Sequence, residues 1–492
     1  MTSLLSLAAL LAVCLATVLI AVYGLRLSRT TSDFYVASRT VRPWWNASAI
    51  GGEYLSAASF LGVAGLIVLS GQSGLWFPIG YTAGYLMLLL FVAAPLRRSK
   101  AYTIPDFVSL RFSSSPGLRK LTSTLVVVIC WLYIVPQLHG AALALSLATG
   151  LPGWSGPVVV ALVVALSAAA GGMRSVTFVQ AFQYWFKLAA LAVPTVFILL
   201  RVIPEQRQAN GAQAIAGQLE AAGSMGLYET ISVLVALLFG TLGLPHVLVR
   251  FYTNPTGAAA RRTTVIVLCL LSAFYLLPVA LGIIGIIYAR QLDPAGAPAD
   301  ATVLLLPQVF FNGLGGQLLT ALVLGGAFAA FLSTTSGLVV SLAGALSQER
   351  VSGTVRGFKI STLLAVAVPL LLSLLTSSLA LAGAIGNVFA FTASTICPLL
   401  LLGIWWRKLT ARGAAAGMLA GAAVCGCALA LSLFTADDGG FWATTLRQPA
   451  AVSVPLAFAV TVLVSKATAR SVPENSSRVL AQLHVPEERH QG

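Results

Sequence analysis

Asn46-Ala-Ser-Ala-Ile-Gly-Gly-Glu-Tyr-Leu-Ser-Ala-Ala-Ser-Phe-Leu-Gly62, running on through apolar residues to Gly74, is the stretch on which the reading of this chain turns. It is long and apolar enough to cross a hydrocarbon core about 30 Å thick, yet Glu53 stands inside it. Insertion scales put an acidic residue at a helix centre at roughly 2.5 to 3.5 kcal/mol, so a chain that keeps one is usually using it. Gly51 and Gly52 come just before the acid and weaken the helix there, which releases carbonyls and amides at bilayer depth. Ser56 and Ser59 follow. An acid, freed backbone and hydroxyls together point to an ion or solute site rather than a passive anchor.

The surrounding composition places this stretch in a membrane. Of 492 residues, 58% are hydrophobic and only 9% charged, against about a quarter charged in ordinary soluble domains. Mean hydropathy is +0.92. Apolar runs recur from Ser3 to Val464, and the chain reads as an all-α polytopic membrane protein with no soluble catalytic domain. The net charge of +15 does not mark a nucleic-acid binder, because Lys and Arg sit in short loops between spans and form no block. Cys14, Cys130, Cys269, Cys397, Cys425 and Cys427 all lie in apolar runs, without the exposed pairing of a disulfide framework or zinc site. The first segment, Ser3 to Leu25, lacks a basic start and runs straight into Arg26 and Arg29, which reads as a retained span rather than a signal peptide.

The expected spans, about thirteen by length, are 3–25, 46–70, 75–96, 121–149, 156–171, 178–203, 229–251, 263–289, 317–345, 360–377, 379–404, 413–434 and 450–465. Alternation puts most basic residues in loops on one side, among them Arg39, Arg97, Arg98, Arg174, Arg261, Arg356 and Arg407, and only Arg201, Arg207, Arg290 and Arg447 on the other. By the positive-inside rule the N-terminus is outside and the C-terminus cytoplasmic, in the plasma (cytoplasmic) membrane. Val303 to Phe311 is expected to lie in the interface as a short helix. The polar tail from Ala467 is expected to be mobile. Span 229–251 holds Gly240, Gly243 and Pro245, an interruption like that at Gly51-Gly52. A unit with an odd number of spans reinserts upside down when it recurs, so broken helices in the second and seventh spans match an inverted-repeat plan.

Glu53 admits three roles: ion ligand or proton carrier, partner of a buried cation, or acceptor for the backbone amides freed by the glycines. Lys187 is a cation available to it. The run Ser333-Thr334-Thr335-Ser336-Gly337 is a hydroxyl cluster in an apolar helix. Such oxygens suit a hard cation like sodium. They equally suit bonds back to their own helix or close packing on a neighbour.

The run from Asn46 to Gly62 resembles the second span of solute:sodium symporters, above all the acetate permease (cation/acetate symporter) branch. Agreement extends to Ser32-Asp33-Phe34-Tyr35, Tyr102-Thr-Ile-Pro-Asp106-Phe with Arg111-Phe112, Gly171-Gly172-Met173-Arg174-Ser175, Gly243-Leu-Pro-His246-Val-Leu-Val-Arg250-Phe, and Trp406-Arg-Lys-Leu-Thr-Ala-Arg412-Gly. The resemblance spans nearly the whole chain. It implies a LeuT-like fold with a 5+5 inverted repeat and flanking helices: 1–45 a first span and cytoplasmic loop, 46–203 the first repeat, 204–228 an extracytoplasmic loop, 229–404 the second repeat, 405–466 two further spans and 467–492 a cytoplasmic tail. It also implies Na+ as coupling ion, held by the carbonyls of Gly51, Tyr54 and Ala330 and the hydroxyls of Ser333 and Thr334. Where the family often has Asp, this chain has Glu53, the expected ion-coupling residue.

The solute is expected near the midplane beside the two broken helices, where a half-helix end and its amides would meet a small carboxylate. Tyr54, Ser56, Ser59, Gln137, Gln183, Thr241 and His246 are the candidate contacts. Arg250 is expected to snorkel to the interface, and Trp405 and Trp406 to form an aromatic belt. The function expected is sodium-coupled import of a short monocarboxylate such as acetate. The alternatives are a proton-coupled permease using Glu53 and a transporter-like sensor, which the short tail disfavours. Partners are then a small molecule and the lipid bilayer, with no nucleic acid. Glu53 and His246 have no metal-ligand spacing or nucleophile arrangement, so no enzyme is expected.

Overall fold

The computed structural model describes residues 4–25, 37–113, 115–208, 217, 219–220, 225–288, 298–350, 355–376, 380–435 and 440–486. Arg26, Arg29 and the Ser32–Tyr35 motif lie outside them. Among the described residues all regular structure is helical, as expected where a backbone must satisfy its own polar groups in lipid. The helices are α1 Leu4–Leu25, α2 Pro43–Tyr54, α3 Val63–Ser70, α4 Trp76–Phe91, α5 Ala93–Arg98, α6 Ile104–Phe112, α7 Pro116–Thr149, α8 Ser155–Gln208, α9 Leu227–Gly243, α10 Pro245–Tyr252, α11 Gly257–Ile287, α12 Thr302–Phe310, α13 Gly313–Arg350, α14 Val355–Leu375, α15 Leu381–Trp405, α16 Ala411–Ser432, α17 Phe441–Arg447, α18 Ala450–Ala467 and α19 Ser476–His484.

Both expected interruptions are present. The first break follows α2, where Leu55 leaves helical geometry at φ −72°, ψ 82°. The chain resumes as a π-helical turn, Ala58–Gly62, that leads into α3. The second falls at Leu244, between α9 and α10, which meet at a 40° bend. Close backbone approach explains the glycines. A Cβ on Gly52 would come within 2.1 Å of the Gln180 carbonyl of α8, and one on Gly240 within 2.5 Å of the Phe389 carbonyl of α15. Each broken helix is thus seated directly on the backbone of an intact one.

Among the described residues, ten helices are long and apolar enough to span a membrane, or eleven with the bent pair α9–α10. The expectation of about thirteen differs from this at two places. The region from Ala58 to Phe91, expected as parts of two spans, counts as a single helical stretch, although at Gly71 (φ +54°) the chain turns back so that Gly74 packs on Ile67. The expected 156–171 span is part of α8, whose helices join through a kink at Gly172; Ser155–Ala169 is a shorter apolar helix.

The expected short helix at Val303 to Phe311 is present as α12, with Val303, Leu304 and Leu306 buried against the bundle, and the expectation of a mobile tail is corrected. The tail is docked: α19 buries Val479 and Leu483, spaced four apart on one helical face, while its ends hydrogen-bond to the bundle. Arg111 Nη1 donates to Ser476 Oγ at 2.9 Å, and Arg98 Nη1 donates to the His484 carbonyl at 3.1 Å.

Candidate functional site

The site gathers at the end of α2. Glu53 is 2% exposed, and its Oε2 lies 2.6 Å from Nε of Arg250, itself 1% exposed. The rest of the guanidinium is also taken: Nη1 donates to Thr177 Oγ1 at 2.7 Å and Nη2 to Gln180 Oε1. Of the three roles open to Glu53, the cation partner is the one this geometry displays. Arg250 does not snorkel. Its distance from the start of the seventh span suggested the interface, but the break at Leu244 restarts the helix and turns Arg250 inward against α2.

Thr177, Gln180, Tyr184 and Lys187 follow one another at spacings of three and four along α8, which places them on one face. Gln180 joins the elements, since its Nε2 donates to the Ser333 carbonyl of α13 at 2.8 Å while its Oε1 receives Arg250. Sequence reasoning passed over this stripe, although polar residues at helical spacing in an apolar span would have marked it. Gln183 falls off the stripe by one position and turns to α1, donating to Thr17 Oγ1 at 3.1 Å. It is not brought to the site.

Lys187 is fully buried, and its Nζ reaches the Gly52 carbonyl at 2.5 Å, the Leu55 carbonyl at 2.8 Å and Ser333 Oγ at 3.0 Å. An ammonium has three N–H donors, and here each has an acceptor. The two carbonyls are ones released by the break, and the hydroxyl belongs to the expected Ser333-Thr334 pair. That pair and the break do converge, as expected, but a lysine ammonium stands between them. The other expected ligand oxygens have their own partners. The Gly51 carbonyl accepts from Leu55 N–H at 3.1 Å and the Tyr54 carbonyl from Ser56 N–H at 2.8 Å. The Ala330 carbonyl accepts from Ser333 Oγ at 3.0 Å, and Thr334 Oγ1 donates to the Glu53 carbonyl at 2.6 Å. With Lys187 in this seat, these residues do not fit a sodium ion there as well.

Beside the cage lies an aromatic cluster from both broken helices and their neighbours. Tyr54 stacks edge-on against Tyr85 (4.6 Å between ring centroids), Tyr81 against Phe389 (5.1 Å) and Tyr133 against His246 (5.2 Å). Tyr54 OH is satisfied by the Tyr81 carbonyl at 3.1 Å and Thr241 Oγ1 at 3.2 Å. Ser59 Oγ bonds Tyr275 OH at 2.9 Å, and Ser56 is buried beside the break. Gln137 Oε1 caps the broken helix by accepting from Ala57 N–H at 2.9 Å. The hydroxyls of Tyr81 and Tyr85, Nε2 of Gln137 and both ring nitrogens of His246 are buried with no hydrogen-bond partner among the described residues. Buried polar atoms are rarely left so, and a cluster of them suits a polar ligand. Of the expected solute contacts, Tyr54, Ser56, Ser59, Gln137, Thr241 and His246 are brought together. Tyr81, Tyr85, Tyr133, Tyr275 and Phe389 were missed, though Tyr81 and Tyr85 of α4, and Tyr133 and Gln137 of α7, sit four apart as a face does.

Comparison with known proteins agrees with this geometry. A model of the sodium:solute symporter family matches residues 34–421. A monocarboxylic acid transporter of Corynebacterium glutamicum is 30% identical over 509 aligned positions, covering 94% of this chain and 91% of the relative. An uncharacterized symporter of Bacillus subtilis is 30% identical, covering 90% of each chain. Among solved structures, a substrate-bound, outward-open Na+-coupled sialic acid symporter superposes with a TM-score of 0.73 at 17% identity, covering 96% of this chain and 98% of the other. Together with the two broken helices, that likeness makes the fold LeuT-like.

Proposed function

The chain belongs to the sodium:solute symporter family, and from that premise we propose that it imports a short monocarboxylate such as acetate by alternating access across the cytoplasmic membrane. Its two repeats run over 46–203 and 229–404, with the N-terminus outside and the C-terminus in the cytoplasm. The observation that carries this reading is the set of unpartnered buried groups at Tyr81, Tyr85, Gln137 and His246. Hydroxyl, amide and imidazole N–H groups are donors matched to carboxylate oxygens. The rings of Phe389 and Tyr54, 6.3 Å apart between centroids, give the site an apolar wall suited to a short apolar chain rather than a polar one. Tyr54, Ser56, Ser59 and Thr241 hold those walls in place. The relation to a monocarboxylic acid transporter supports the same substrate class.

Sodium is the coupling ion that the family and the sodium-coupled structural relative support. A second reading, import that does not draw on sodium, is favoured by one observation: Lys187 Nζ takes Ser333 Oγ, one of the oxygens expected to hold the ion, together with the Gly52 and Leu55 carbonyls beside the expected ones. Glu53 is engaged by Arg250 in either case.

Radiolabelled acetate uptake into proteoliposomes, challenged with unlabelled propionate, pyruvate, lactate and proline under separately imposed sodium and proton gradients, tests the substrate class. Competition by the monocarboxylates and not by proline is expected. Uptake of proline with no response to any monocarboxylate would sink the reading.

A further inference from the structure

We infer that Lys187 is a tethered cation, built into the oxygen cage at the broken helix in place of a sodium ion, so that import by this chain needs no sodium at that position. The inference rests on the transport reading above but concerns a different question, the identity of the cation. The cage has the composition of a hard-cation site, two backbone carbonyls from Gly52 and Leu55 and one hydroxyl from Ser333. It draws on two elements, α2 with its unwound end and α13, and Lys187 reaches it from a third, α8. All three ammonium donors are spent on it, which leaves the nitrogen no reason to adopt another seat.

Charge points the same way. Glu53, the nearby carboxylate, is ion-paired with Arg250, and Lys187 makes no ion pair of its own among the described residues. One positive charge is therefore left over at bilayer depth, and one monocarboxylate anion would balance it. A sodium ion beside Lys187 would place two unneutralised cations within a few ångströms of each other in a poorly polarisable interior, where like charges repel strongly. The hydroxyl proton of the expected ligand Thr334 goes to the Glu53 carbonyl, which ties α13 to the end of α2 without the ion. The lysine thus sets ion specificity by exclusion, because a filled cage rejects the competitor.

The test is 22Na+ binding to the purified full-length protein, read together with acetate uptake in sodium against choline medium. The wild type is expected to show no saturable 22Na+ binding. Its uptake should agree in the two media within about twofold, since an ion with no site cannot shift the conformational equilibrium. Lys187→Ala empties the cage and is expected to gain saturable 22Na+ binding that Ser333→Ala, added to it, removes. Uptake by Lys187→Ala should fall at least about tenfold in choline, as when a buried charge contact is broken, and recover in part in sodium. Saturable 22Na+ binding to the wild type, or a folded Lys187→Ala protein that binds none, overturns the inference. Should Lys187→Ala not fold, the wild-type binding measurement still decides. Sodium binding is read without any solute, so failure of the substrate panel would sink the monocarboxylate reading and leave this result standing.

Discussion

Two fully buried cations and one carboxylate share the space of a few residues: Arg250, Lys187 and Glu53. Scales put each such residue at a helix centre at roughly 2.5 to 3.5 kcal/mol, and the bonds around them offset that cost only while every partner is present. Glu53→Gln is therefore expected to destabilise the protein by about 3 to 5 kcal/mol, the cost of leaving a buried cation unpaired. Thermal unfolding in detergent measures it, and Glu53→Gln combined with Arg250→Met should regain part of the loss. Tyr85→Phe is expected to behave in the opposite way. Its hydroxyl has no partner to lose among the described residues, so stability should hold within about 0.5 kcal/mol while the KM for monocarboxylate rises about tenfold for a lost ligand hydrogen bond. A Tyr85→Phe protein with unchanged KM would remove that residue from the solute site. Glu53 was legible in the sequence as a site residue because an acid in a span stands out. Its partner was not, since the linear distance of Arg250 along its span gives no depth once the helix is broken and restarted at Leu244. Lys187 was visible as a cation, but only three-dimensional packing reveals that its nitrogen reaches the carbonyls of another helix.

The broken helices work because glycines let them lie on intact ones. Gly52→Ala would drive a Cβ to 2.1 Å from the Gln180 carbonyl, a backbone atom that cannot swing aside. Overpacking of this kind costs about 1 to 3 kcal/mol, and the shift would also disturb the Gln180 bridge between Arg250 and Ser333. Unfolding and uptake are both expected to suffer in Gly52→Ala. Gly153→Ala, where a Cβ meets nothing within 4 Å, is the matched control and should leave both unchanged. Equal behaviour of the two variants would contradict the close-packing account. Both breaks could be read from Gly51-Gly52 and from Gly240, Gly243 and Pro245, since glycine and proline weaken a helix wherever they stand. The π-helical turn at Ala58–Gly62 could not, because it arises from how α2 is seated rather than from any residue type. Helix α19 was hidden for a different reason. Its stretch is polar on average, and only the pair Val479 and Leu483 betrays a buried face.

At the scale of the molecule, α19 ties the tail to the loop helices α5 and α6 and to the end of α15. Arg111 Nε donates to the Gly403 carbonyl at 3.0 Å and its Nη1 to Ser476 Oγ, and Gln482 Nε2 donates to the Arg98 carbonyl at 3.2 Å. Removing residues from Ser476 onward is expected to cost about 1 to 3 kcal/mol, the scale of hydrogen bonds to buried charged groups. An unchanged unfolding temperature would mean that α19 is not a stabilising strap. The helical class and the paired breaks of the whole were legible because composition and interruptions are properties of the chain itself. The number of spans was not, because a kink as at Gly172 and a reversal as at Gly71 merge or divide apolar runs without changing their hydropathy. We propose above all that this bundle holds a small monocarboxylate between its two broken helices and carries it across the membrane. Acetate counterflow in proteoliposomes with equal sodium and equal pH on both sides, which needs no ion gradient and so reads solute exchange whichever ion is coupled, puts that claim to the test. Internal unlabelled acetate, propionate, pyruvate or lactate should drive transient accumulation of labelled acetate, and His246→Ala should abolish it. No counterflow with any of these acids, from protein shown to be folded, would contradict the account.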